Sequence, residues 1–235
     1  MDKKTSTTPI QVVFEDLGLI DYQQAWDYQK GLFEQLVNYK KERKNHPDNG
    51  LVSPDNYLLF CEHPHVYTLG KSGKSENLLV SEAQLRSKGA AFYRIDRGGD
   101  ITYHGPGQLV GYPILDLERL DMGIKQYVFL IEEAIILSLK HFGITAERLE
   151  GAPGIWVDQS RKICALGVRA SRSITMHGFA LNVNTNLDFF GFIHPCGFAD
   201  KGVTSIEKEL GKPLEMPKVK EVVRQNLVNL FGIET

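Results

Sequence analysis

The sequence predicts a mixed α/β fold of the α+β kind, a mixed sheet with helices packed on it. Two observations carry this. Three extended segments, GIWVD, RKICALGVR and SITMHGFALNVN, follow one another between Gly154 and Asn184 with only short polar separators. Helical crossovers for parallel pairing do not fit between them, so they predict antiparallel neighbours. Apolar residues also recur at helical spacing in three other places, around 22–37, 127–139 and 217–230. The chain shows no internal repeat and no dinucleotide fingerprint of the strand, glycine-rich turn, helix kind.

Taken in order, Ile10 to Phe14 reads as a short strand. Tyr22, Trp26, Gln29, Phe33, Leu36 and Val37 then mark a helix with one face on the core. Residues 41–56, KERKNHPDNGLVSPDN, combine charge with Asn-Gly and Ser-Pro and predict a surface excursion. YLLF at 57–60 returns to strand composition. Glu82 to Lys88 predicts a short helix, Ala90 to Ile95 a strand, and LVGYPILDL at 109–117 a strand interrupted near Pro113. The 127–139 helix has so wide an apolar surface that it is expected to be the most buried helix. Pro217, Val219, Val222, Val223, Leu227 and Leu230 mark a closing helix with proline near its first turn.

The chain has 235 residues, 42% of them hydrophobic, with 27 basic and 29 acidic side chains. That composition describes a globular protein with enough apolar mass for a sizeable core. No Gly/Ser-rich or Pro-rich linker divides it, so residues 1–235 are expected to form a single domain with a polar tail at 1–9. The net charge of −2 gives no reason to expect nucleic acid as partner. Lys40, Lys41, Arg43 and Lys44 form a local basic cluster that reads first as a solvated helix end and second as a docking point. The opening residues lack the apolar stretch of a secretory signal, and no segment reaches the length of a membrane span. Three cysteines, Cys61, Cys164 and Cys196, make an incomplete disulfide set and favour the cytoplasm.

Four stretches carry candidate chemistry. In RIDRGGDITYHGPGQLVGYP, 94–113, Gly98, Gly99, Gly105 and Gly107 can shape a cavity wall with Tyr103 and His104 carried between them. Paired tight turns with a buried tyrosine are the plainer reading. In HGFALNVN, 177–184, Gly178 and Ala180 leave space on one strand face for an acyl chain or a neighbouring helix, and His177 is equally a core residue or a catalyst. In IHPCGFADKGVTSI, 193–206, Cys196 stands between proline and glycine, where a turn exposes a thiol. Lys162 in DQSRKICALG is the candidate cation for it, because partial desolvation there suits proton exchange with a thiol. A snorkelling surface lysine is the alternative. Cys164 reads as a packed small hydrophobe. Cys61, His63 and His65 alternate, and His194 with Cys196 adds two more zinc-type ligands, yet Pro64 breaks the pattern and no Cys-x-x-Cys pair supports a metal site.

RGGDITYHGPGQLVGYPILDL followed by RKICALGV, MHGFALNVN and HPCGF resembles the octanoyltransferase family of lipoate synthesis, over most of the chain from about Val12 to Leu210. The resemblance implies a fold like the catalytic domains of biotin and lipoate protein ligases. It implies octanoyl transfer from octanoyl-acyl carrier protein to one lysine of lipoyl domains, those of 2-oxoacid dehydrogenase E2 subunits and the glycine cleavage H protein, with no cofactor and no metal. By motif, the family's acyl-thioester cysteine falls on Cys196 and its thiol-activating lysine on Lys162. Substrate-lining segments fall on Arg97, Gly98, Gly99, Asp100, Ile101, Thr102, Tyr103 and His104, on Ala165, Leu166 and Gly167, and on Gly178, Phe179 and Ala180. His63 and Gly70 in EHPHVYTLGKSG match an early motif that looks like part of the same wall, while His65 stands where proline is more usual. Two alternatives stay open: an ATP-dependent lipoate-protein ligase of similar fold, and a binding module that keeps the pocket without the nucleophile.

Overall fold

The computed structural model describes residues 10–47, 50–194 and 201–235. The chain opens with β1 (Ile10–Leu19), α1 (Tyr22–Asn45) and β2 (Asn56–Glu62). Strands β1 and β2 run parallel, Val12 beside Asn56, because α1 carries the chain back between them. Asp21 starts α1 by accepting the Gln23 and Gln24 N–H groups, and Tyr22, Ala25, Gln29, Leu32, Phe33, Leu36 and Val37 form its buried stripe. The helix continues to Asn45, so the expected excursion at 41–56 begins later than its composition suggests. Arg43 and Lys44 suit a helix C-terminus, where exposed carbonyls favour positive charge. Lys40 is held by Asp116 at 2.6 Å and Glu118 at 2.9 Å. At the other limit of the excursion, Asn56 is a buried strand residue whose Oδ1 accepts the Asp116 N–H at 2.8 Å.

Next come β3 (Val66–Leu69), α2 (Glu82–Ser87), β4 (Ala91–Arg94) and β5 (Ile101–His104), then β6 (Gln108–Ile114), α3 (Ile124–His141), β7 (Glu147–Leu149) and β8 (Ala152–Val157). The chain closes with β9 (Arg161–Ser171), β10 (Ile174–Asn182), β11 (Gly202–Val203), α4 (Ile206–Leu210), α5 (Met216–Phe231) and β12 (Ile233–Glu234). Among the described residues the main sheet has the order β12-β1-β2-β6-β10-β9-β8-β7, with β11 beside β9, and a smaller sheet has the order β4-β3-β5. The three crowded segments are β8, β9 and β10, antiparallel throughout.

Both faces of the main sheet are covered, which explains why YLLF reads as unbroken apolar sequence instead of alternating. Leu58, Phe60 and Leu109 pack with α3 and α5, while Leu59, Cys61 and Val110 pack with α1. Strand β6 runs through Pro113 instead of breaking there. Its ladder with β10 has ended at Gly111, and the Thr175 hydroxyl serves the backbone beyond, donating to Pro113 O and accepting from Leu115 N–H. Helix α3 has the largest buried share of the three long helices, as its composition predicts, though its apolar surface is not wholly enclosed. It buries one stripe, from Tyr127 to Leu139, and leaves Phe129 half exposed, where the Arg148 guanidinium covers its ring at 4.0 Å. No helix of the described residues is long and apolar enough to cross a membrane.

Candidate active site

A cavity of about 540 Å³ opens where the smaller sheet meets β9 and β10. One wall is the loop entering β5, Arg97, Gly98, Gly99 and Asp100, continued by Ile101 and Thr102. The facing wall is Ala165, Leu166, Gly167 and Val168 of β9 with Ala180 of β10, and Lys162 stands at its far end. Such a volume, mostly apolar with a few polar groups, suits a small-molecule or acyl ligand. Beneath it a pocket of about 30 Å³ shares Arg97, Thr102, Leu166 and Gly167 and adds Tyr22, His104, Tyr112, His177, Gly178 and Phe179.

The loop wall is held by its own backbone. The Arg97 guanidinium turns back to donate to Gly98 O at 2.8 Å and Asp100 O at 2.7 Å. Gly98 N–H donates to Val168 O at 3.1 Å, and Lys71 and Ser72 N–H donate to Arg97 O and Gly99 O. Glycine is required on both sides of this contact: a Cβ on Gly167 would lie 2.6–2.9 Å from the Arg97 side chain, and one on Gly70 only 2.3 Å from Gly99 O. Gly70 thus supports the wall from behind. Gly178 has a different reason to be small, since its Cβ would lie 2.2 Å from Gly111 O across the β10–β6 ladder.

Tyr103 departs from the expected wall. Side chains alternate along β5, so Thr102 and His104 turn toward the two cavities while Tyr103 joins Tyr67, Phe189 and Phe190 in the smaller sheet's aromatic cluster. Its hydroxyl bonds His65 Nδ1 at 2.7 Å. Gly105 and Gly107 likewise stand clear of the cavities, against Tyr103 and the Asn184 backbone.

Lys162 is buried, 6% exposed, which replaces the snorkelling reading. A bulge between β8 and β9 sets it directly opposite Trp156, and its Nζ lies 4.7 Å from that ring's centroid. Val203 of β11 is its neighbour on the other side. Cys164 lies in the main core and Cys61 under α1, and burial pushes both thiols well above their ordinary range. Cys196 lies outside the described residues, but Phe190 and Val203, on either flank of segment 195–200, both line the main cavity.

A polar chain that composition did not reveal runs beside the cavity. His104 Nδ1–H donates to Gln108 Oε1 at 2.8 Å, Gln108 Nε2 donates to Asn182 Oδ1 at 2.9 Å, and Asn182 Nδ2 donates to Thr204 O at 2.9 Å. Thr204 N–H in turn donates to Lys162 O. Burial lowers the pKa of His104 to about 3 and that of His63 to about 4, so both rings are neutral. His63 gives its Nδ1–H to Ile20 O and takes the Tyr112 hydroxyl on Nε2. It is a support behind the site, in neither cavity's lining. His63 and His65 go to different clusters, and among the described residues no three His, Cys, Asp or Glu side chains gather around a metal position.

The profile of the lipoyl protein ligase A/B catalytic domain matches residues 21–228. The octanoyltransferase of Cytophaga hutchinsonii is 56% identical over 238 residues, covering 99% of this chain and 96% of its own length. The octanoyltransferase of Bacteroides fragilis is 51% identical over 223 residues, covering 93% of this chain and 97% of its own. In fold, the chain is similar to a bipartite lipoate protein ligase from Thermoplasma acidophilum, with a TM-score of 0.68 at 16% identity, over 96% of this chain and 85% of that one. A lipoate-protein ligase A bound with ATP gives a TM-score of 0.65 at 16% identity, over 97% and 87%. The mixed sheet with packed helices is therefore the lipoate ligase architecture, and the chain itself belongs to the octanoyltransferase family, an acyltransferase family within the lipoyl protein ligase A/B catalytic domains.

Proposed function

We propose that this acyltransferase takes an octanoyl group from octanoyl-acyl carrier protein onto Cys196 and passes it to a lysine of lipoyl domains, those of 2-oxoacid dehydrogenase E2 subunits and the glycine cleavage H protein. One observation supports the reading above the others. The apolar cavity is lined by a buried lysine, Lys162, together with Phe190 and Val203, which precede and follow in sequence the segment that carries Cys196.

In the first half-reaction the Cys196 thiolate attacks the thioester carbonyl. A Cys196 S–C bond forms, the carrier's C–S bond breaks, and the departing thiolate takes a proton from the Lys162 ammonium. In the second, the target amine attacks the acyl-cysteine, the S–C bond breaks as the amide forms, and the amine's proton returns to Lys162. Thioester exchange is near balance and amide formation runs downhill, so neither nucleotide nor metal enters. Arg97 to Thr102, Ala165 to Gly167 and Ala180 enclose the chain, each buried methylene contributing about 0.8 kcal/mol. His104 and Phe179 close its inner end, Gly178 beside them being held small by the Gly111 carbonyl, and Leu166 and Gly167 N–H groups are candidates for the oxyanion. The whole chain acts as one catalytic domain in the cytoplasm.

Mixing the protein with octanoyl-acyl carrier protein and recording its intact mass tests this. One octanoyl adduct on Cys196, discharged by an apo-lipoyl domain, is the expected result. The likeness of fold to a ligase bound with ATP keeps one rival: incorporation of free octanoate that requires ATP and magnesium would replace the transferase reading.

A further inference from the structure

Three side chains from separate elements meet behind the loop wall. Asp96, in the loop after β4, accepts from Arg169 of β9 through one carboxylate oxygen and from His177 Nε2–H of β10, at 3.1 Å, through the other. His177 is 1% exposed, and its backbone is left-handed, φ +62°, inside a strand paired with β9 at Val168. A residue with a side chain holds that conformation only where its surroundings impose it. Helix α1 supplies the surroundings. Gln29 Oε1 accepts the His177 N–H at 3.3 Å, and Phe33 receives the Arg169 guanidinium on its ring at 4.9 Å.

His177 pairs with a residue six positions along β9 from Lys162, roughly 20 Å at strand rise. That separation sets it apart from Lys162, so it does not exchange protons with that lysine directly. What it does hold is Asp96, the residue immediately before Arg97. The wall from Arg97 to Asp100 therefore hangs on β9 and β10 at two adjacent points, the Gly98 N–H to Val168 O bond and the Asp96 carboxylate.

We propose that Asp96, Arg169 and His177 form a latch that fixes the 97–100 wall in its acyl-binding position. Asp96 and His177 are then positioning residues that set affinity for the acyl donor without taking part in the chemistry. The proposal rests on reading the cavity as the acyl site.

Asp96→Ala and His177→Asn test it, the second because asparagine tolerates the left-handed backbone. Each should raise KM for octanoyl-acyl carrier protein about tenfold, the scale of one lost charge-assisted hydrogen bond, with kcat held within about twofold. The Gly98 amide should exchange with deuterium faster in both, and Asp96→Asn, which keeps the acceptor for His177, should fall between them and the parent. The double variant should be no worse than the worse single one, as members of one unit behave. Unchanged Gly98 exchange and unchanged KM in both single variants would overturn the latch, and so would a fall in kcat at constant KM. If the parent protein takes up no octanoyl at all, the acyl reading fails, while the exchange measurement still decides whether the latch exists.

Discussion

Two of the three thiols, Cys61 and Cys164, are sealed in the core with their ionisation suppressed by burial, which supports the proposal that Cys196 carries the acyl group. Cys196→Ala should abolish the octanoyl adduct seen by intact mass, and Cys164→Ala should retain it. A stable thioester on Cys164 would reverse the assignment. Lys162 is placed by its neighbours as much as by its own sequence, since the β8–β9 bulge sets it over Trp156 and its stem lies against Gly154, where a Cβ would come within 3.3–3.4 Å. Lys162→Ala should lose most transfer activity and move the pH profile of Cys196 alkylation upward, because removing a nearby cation disfavours the thiolate. An unchanged profile would show that Lys162 is not the thiol's electrostatic partner. Trp156→Leu should weaken the seat by about 1 kcal/mol, the range of a partly desolvated cation–π contact, and lower the rate of cysteine loading far less than Lys162→Ala does.

At the scale of elements, the crossing of β10 with β6 decides what small residues are for. Gly178 stands in a motif that reads as room for an acyl chain, yet the nearest atom to any side chain there is the Gly111 carbonyl. Gly178→Leu should therefore disrupt the central ladder and lower the melting temperature by many degrees, as overpacking of a core does. A folded variant with altered chain-length preference would instead place Gly178 on the tunnel wall. The loop between β4 and β5 shows the opposite case. Its glycines read correctly as a cavity wall at Gly98 and Gly99, but the neighbouring β5 alternates, and alternation sends Tyr103 into the aromatic cluster of the smaller sheet. Strand period was available from the sequence; which face met the cavity was not.

For the molecule as a whole, burial of neutral His63 and His104 links stability to pH. Their folded pKa values, about 4 and about 3, lie below the unfolded value of about 6.5, so below that value the unfolded state binds the extra protons. Stability should fall as pH drops from about 6.5 toward 4, by on the order of 1 kcal/mol per pH unit for each ring. Denaturant midpoints measured across that window check it, and His63→Gln should flatten the slope. Transfer itself should survive dialysis against EDTA and omission of ATP, with free octanoate inert.

The sequence by itself determined the antiparallel run of β8, β9 and β10, the helices at 22–37, 127–139 and 217–230, and the family, because separator length, apolar period and ordered motifs are local properties. It also determined the pairing of Cys196 and Lys162 as candidates, since a Pro-Cys-Gly segment and a lysine opening an apolar strand are visible in one dimension. Only the tertiary structure decided the rest. Lys162 is buried because β8 and β11 flank β9, Pro113 sits inside a strand because Thr175 serves its backbone, and Asp96 meets His177 across 81 positions of sequence. Each of these depends on which chain segments lie side by side. That is set by the burial of both sheet faces at once, and no window of sequence contains it.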